Sequence, residues 1–145
     1  MIGSLQIIFR LFLAAILGGM VGLERELHEK AAGFRTHILV CIGSCLMMLT
    51  SLHIFDVYKG LTTVDPARIA AQVVTGVGFL GAGTIIRYGA TVRGLTTAAS
   101  IWAIAGVGLA VGSGFYLAAI VTAFIMLLSL YMLSRVDATV SKKQR

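Results

Sequence analysis

The stretch Gly76-Val77-Gly78-Phe79-Leu80-Gly81-Ala82-Gly83 decides how the chain is read. It closes a long apolar run and is followed by Thr84-Ile85-Ile86-Arg87. After a short turn-like segment, Tyr88 to Arg93, Gly94-Leu95-Thr96-Thr97 opens the next apolar run. Four glycines in eight residues would weaken a helix in water, since each is about 1 kcal/mol less favourable than alanine. In a bilayer the same residues let helix backbones approach closely, and lipid offers no competing hydrogen bonds. The stretch therefore predicts the closely packed centre of a membrane bundle, with Gly76, Gly78, Gly81 and Gly83 at the contact. A phosphate-binding loop is excluded, because the Lys-Ser/Thr that ends one is missing.

Composition agrees. The 145 residues are 58% hydrophobic and 12% charged, against about 25% charged in a soluble domain, and mean hydropathy is +0.94. The net charge of +6 is carried at the ends of apolar runs and at the C-terminus. That distribution sets membrane orientation and does not suggest nucleic acid. Cys41 and Cys45 lie inside an apolar run and carry no disulfide pattern.

Outward from the glycine stretch, the apolar runs divide into about five spans. They run roughly over residues 2–23, 36–55, 66–86, 94–111 and 115–134. Gly18 and Gly22 form a small-xxx-small face on the first, and Gly94 opens the fourth. Asp65-Pro66 starts the third, the carboxylate capping free amides and the proline fitting the first turn. The expected fold is an all-α polytopic transmembrane bundle over residues 1–135, with a basic cytoplasmic tail over 136–145. With the tail inside, nine basic residues (Arg25, Lys30, Arg35, Arg87, Arg93, Arg135, Lys142, Lys143 and Arg145) face the cytoplasm. Arg10, Lys59 and Arg68 face outward. This places the N-terminus out and the C-terminus in. The first two spans and the next two echo one another: Gly33-Phe34-Arg35-Thr36 parallels Gly94-Leu95-Thr96-Thr97, as parallel copies would.

The candidate functional residues collect at the expected inner face. Glu24, Arg25 and Glu26 are the densest charged cluster. Their carboxylates suit a cation or a basic partner, although a hard ion needs more oxygen ligands than one pair supplies. Arg35, Arg87 and Arg93 flank the same face and suit phosphate or a lipid headgroup. Arg10, Asp65, Arg68 and Gln72 lie near the outer ends of spans, where polar groups turn toward the bundle and contact one another. His37, Cys41 and Cys45 share one helical face but lack a fourth metal ligand. No metal site or cofactor is assigned, and the only cation binding to expect is weak Mg²⁺ binding. No nucleophile–base set or nucleotide motif is present, so catalysis is not expected.

Five segments strongly resemble the MgtC/SapB family over essentially the whole chain: Gly22-Leu23-Glu24-Arg25-Glu26, Ala32 to Val40, Asp65 to Val74, Gly76 to Ile86 and Gly94 to Trp102. The resemblance implies a multi-pass protein of the bacterial inner membrane. Members of the family are associated with virulence, growth at low magnesium and survival inside macrophages, and one is reported to restrain the proton-driven ATP synthase. It further implies that Glu24, Arg25, Arg35, Asp65, Arg68, Gln72 and the glycines from Gly76 to Gly83 matter. The expected role is non-catalytic: modulation of magnesium, phosphate or ion homeostasis through a membrane-protein partner. Self-association and contact with membrane lipids are expected too. The alternatives are a small transporter or channel for Mg²⁺ or another cation, and a structural or lipid-binding bundle. The virulence members carry a soluble C-terminal domain, whereas this chain stops at Arg145, so a membrane-only form, naturally short or truncated, is expected.

Overall fold

The computed structural model describes residues 2–143, and side chains up to Met132. Five helices follow one another: α1 (Ser4–Leu27), α2 (Phe34–Tyr58), α3 (Ala67–Ala82), α4 (Leu95–Ser113) and α5 (Tyr116–Lys143). Between α3 and α4 lies a small antiparallel hairpin, β1 (Ile86–Tyr88) and β2 (Thr91–Arg93), with Arg87 opposite Val92. Helices α1, α2 and α4 are long and apolar enough to cross a membrane. The apolar part of α5, Tyr116–Met132, and α3 are shorter. The last two residues of the expected basic tail lie outside the described residues.

The core is the junction of α1, α2 and α4, closed at one end by α5. Ala14, Leu17, Val21, Cys41, Cys45, Ile104, Val107 and Val111 are all buried there, with Ala119 and Ala123 from α5. Such close approach needs residues without side chains where the backbones meet. A Cβ at Gly18 would lie 2.8 Å from both Cys41 Cβ and the His37 carbonyl oxygen. One at Gly22 would lie 2.8 Å from Phe34 Cα, and one at Gly112 2.6 Å from the Cys45 carbonyl oxygen. Gly108 is pressed against the Cys41 carbonyl in the same way. Two i, i+4 glycine pairs, one on α1 and one on α4, thus receive α2 from either side.

This corrects the expectation for the glycine stretch. A Cβ at Gly76 or Gly78 would meet nothing within 4 Å, and one at Gly81 makes only ordinary contact with Ala98 of α4. Only Val77 and Gly81 of α3 are buried. Helix α3 therefore sits at the edge of the bundle, packed along one strip, and the close contacts belong to Gly18, Gly22, Gly108 and Gly112. The third helix is also shorter than its apolar run. Gly83 donates its amide to Phe79, and the Thr84 hydroxyl donates to the Gly81 carbonyl at 2.8 Å. These bonds satisfy the helix end before Ile86, and 16 residues reach only about 24 Å at 1.5 Å per residue.

The echo between the two helical hairpins has a structural counterpart. Gly33 and Gly94 are the N-caps of α2 and α4. Neither position has room for a side chain: a Cβ at Gly33 would collide with the Glu26 carboxylate, and one at Gly94 with the Thr84 carbonyl. Gly94 also holds φ 88°, a left-handed conformation that glycine adopts without strain.

Candidate functional site

The end of α1 and the starts of α2 and α4 meet in one polar cluster. Arg25 is 2% exposed, which would be costly for an unpaired guanidinium. Its partner is the adjacent Glu24: Nε donates to Oε2 at 2.5 Å and Nη2 to Oε1 at 2.8 Å, a bidentate pair. His28, one turn on, brings Nδ1 within 2.8 Å of the Glu24 carbonyl and 3.2 Å of Glu24 Oε1. Glu26 points the other way. Its Oε2 accepts the Phe34 amide at 3.0 Å, satisfying one of the free donors at the start of α2. A carboxylate at a helix N-terminus is also favoured by the dipole.

Below this pair lies His37, fully buried. Its Nδ1 is 2.9 Å from the Gly33 carbonyl and its Nε2 is 3.0 Å from the Ser100 hydroxyl. A carbonyl only accepts, so Nδ1 carries a proton, and a neutral ring leaves Nε2 to accept from Ser100. The Ser100 hydroxyl also lies 2.9 Å from the Thr97 carbonyl, so its one proton has two acceptors. This bridge fixes the start of α2 to the start of α4. In the sequence His37 reads with the cysteines and Ser100 as a residue suited to an interhelical hydrogen bond; that the two are partners is not legible there, because the contact spans 63 residues. Cys41 and Cys45 are buried against the glycine contacts, and no metal-ligand cluster occurs among the described residues.

The six residues expected to form an inner face do not form one pocket. Glu24, Arg25 and Glu26 are engaged within the α1–α2 turn. Arg35, Arg87 and Arg93 are exposed, and Arg87 Nε donates to the Gly89 carbonyl within its own hairpin at 3.0 Å.

The residues expected near the outer ends also separate. Arg10 does not meet Arg68 or Gln72. Its Nη1 donates to the Gly112 carbonyl at 2.7 Å and its Nε to the Tyr116 hydroxyl at 2.9 Å, with the guanidinium 5.7 Å from the Tyr116 ring centre. It locks the α4–α5 turn onto the start of α1. Asp65, Arg68 and Gln72 share a groove of about 820 Å³ between α2 and the start of α3. Asp65 Oδ1 accepts the Ala67 amide at 2.8 Å.

These features define a helical membrane protein whose charged turn is satisfied internally. The comparisons name the family. Residues 11–139 match the MgtC family, and the chain belongs to it. It is 51% identical over 113 residues to the Escherichia coli protein named "Putative magnesium transporter YhiD", covering 77% of this chain and 53% of that one. It is 41% identical over 132 residues to SapB of Bacillus subtilis, covering 88% and 56%, and 43% identical over 121 residues to MgtC of Salmonella typhimurium, covering 83% and 49%. The chain thus spans about half to three-fifths of the length of such relatives. No solved structure matches it. Family membership and the apolar helices make it a multi-pass inner-membrane protein.

Proposed function

We propose that the chain acts without catalysis, modulating magnesium, phosphate or ion homeostasis by contacting another membrane protein. One observation carries this reading: the inner carboxylates are already engaged. Glu24 holds Arg25 in a bidentate pair and Glu26 spends one oxygen capping α2, so the two offer far fewer free oxygens than the six or more that a hard cation takes. The basic side chains of the same face, Arg35, Arg87 and Arg93, are exposed and suit an anionic partner surface. In this reading the chain crosses the membrane five times, N-terminus out and C-terminus in, with residues 136–145 as a cytoplasmic tail. The nine-to-three division of basic residues supports that orientation. Short α3 crosses with the bilayer thinned locally or with its flanking residues reaching to the interface. The uncovered glycine strip of α3 supplies a face for self-association.

The reading is tested by replacing Arg35, Arg87 and Arg93 with Gln and scoring growth at low magnesium in a strain lacking the protein. The expected result is normal insertion and stability with lost complementation. Full complementation would overturn it. The printed name of the Escherichia coli relative favours a second reading, a Mg²⁺ transporter, which predicts protein-dependent Mg²⁺ flux.

A further inference from the structure

We propose that the groove between α2 and the start of α3 binds phosphoethanolamine, a phosphate that carries a primary ammonium. Arg68 and Gln72 stand four residues apart on one side of α3, Asp65 lies just before the helix, and all three line the groove. Neither the Arg68 guanidinium nor the Gln72 amide has a hydrogen-bond or ion-pair partner among the described residues. Asp65 and Arg68 do not pair with each other, although both line the same space. Asp65 spends one oxygen on the Ala67 amide, and a carboxylate with about four acceptor sites keeps its second oxygen for a ligand.

Two opposite charges left open in one groove fit a ligand that carries both. The planar guanidinium binds phosphate through two parallel N–H donors. The Asp65 carboxylate accepts from an ammonium, and Gln72 donates to a remaining phosphate or ester oxygen. The volume, about 820 Å³, lies in the range of organic-ligand sites, roughly 300–1,000 Å³, and is far larger than a bare ion needs. Ile54 and Ile69 give the groove an apolar side, suited to a glycerol and the start of acyl chains. The wall is fixed, because the Ser51 hydroxyl of α2 donates to the Pro66 carbonyl and holds the first turn of α3 in place. Placement at a helix start puts the charges at headgroup level and the isoleucines toward the hydrocarbon.

The headgroup comes either from phosphatidylethanolamine or from the free compound, and one experiment separates them. The purified chain is placed in phosphatidylcholine nanodiscs containing equal small fractions of phosphatidylethanolamine and phosphatidylglycerol. Retained lipid is then counted by native mass spectrometry. The expected result is at least tenfold enrichment of phosphatidylethanolamine over both other lipids. Arg68→Gln should abolish it. Asp65→Asn, which keeps an oxygen for the Ala67 amide, should remove the preference over phosphatidylglycerol while preserving folding. Soluble phosphoethanolamine that raises the thermal midpoint of lipid-depleted protein, with no enrichment of the lipid, would assign the same site to the free compound. Absence of both effects, or enrichment unchanged in Arg68→Gln and Asp65→Asn, overturns the proposal.

Discussion

One added methyl group at Gly18 tests the packing directly. In Gly18→Ala the new Cβ falls 2.8 Å from Cys41 Cβ and from the His37 carbonyl oxygen, and 3.1 Å from Ile38 Cα. Carbon atoms in good contact sit about 3.5–4.0 Å apart, so α1 and α2 must separate by roughly 0.7 Å or more. Two of the three neighbours are backbone atoms, which cannot swing aside. One turn later Gly22 is equally close to Phe34, with Cα at 2.8 Å, so a tilt that relieves one contact tightens or opens the other. Overpacking of this kind costs about 1–3 kcal/mol. The matched control is Gly76→Ala, where the new Cβ meets nothing within 4 Å and helix propensity favours alanine by about 1 kcal/mol. Unfolding in mixed micelles, followed by circular dichroism as the denaturing detergent fraction rises, should place Gly18→Ala below wild type and Gly76→Ala at or above it. Equal loss in the two variants, or an unaffected Gly18→Ala, would refute the assignment of the close contact to α1–α2.

Further expectations follow from the polar contacts between helices. Arg10→Met removes two donors from Gly112 and Tyr116 and should lower stability by about 2–4 kcal/mol, given about 1.5–3 kcal/mol for a hydrogen bond to a charged group; a loss no larger than that of Tyr116→Phe would contradict the locking role. Ser100→Ala leaves buried His37 Nε2 without its partner and should cost about 1–3 kcal/mol, measured in the same unfolding assay, with Ser100→Thr closer to wild type. Glu24→Gln should destabilise the fold, because buried Arg25 loses its countercharge; an unchanged midpoint would show that the pair is not structural. Gly33→Ala drives a methyl into the Glu26 carboxylate, so Gly33→Ala and Glu26→Ala should be non-additive by about 0.5 kcal/mol or more, the double variant losing less than the sum.

The long apolar runs made the helices legible, because a chain in lipid must satisfy its backbone within helices. The Asp65-Pro66 start and the small-xxx-small pair Gly18/Gly22 were legible for the same local reasons. Which glycines pack was only half readable. Density drew the reading to Gly76–Gly83, whereas spacing governs the contact, and Gly108 and Gly112 have the same i, i+4 spacing as Gly18 and Gly22. The hairpin was missed, although Ile86-Arg87-Tyr88 and Thr91-Val92-Arg93 flank Gly89 in the manner of two short strands. Its signal is weak beside the apolar run that precedes it. For the buried polar groups, the residue types were visible but their partners were not. Arg10 with Gly112, and His37 with Ser100, join helices far apart in sequence, and no local rule pairs them. The engagement of Glu24 and Glu26 within the turn has the same character, since the glutamates stand in the sequence as open carboxylates.

The central claim is that the Glu24 and Glu26 carboxylates serve the fold and do not pass a cation. The most direct measurement is Mg²⁺ entry into liposomes containing the purified chain and an internal Mg²⁺-sensitive dye, beside protein-free liposomes. The account predicts identical entry in the two and no saturable Mg²⁺ binding. Protein-dependent, saturable Mg²⁺ entry that Glu24→Gln abolishes, with the variant shown to be folded, would contradict it.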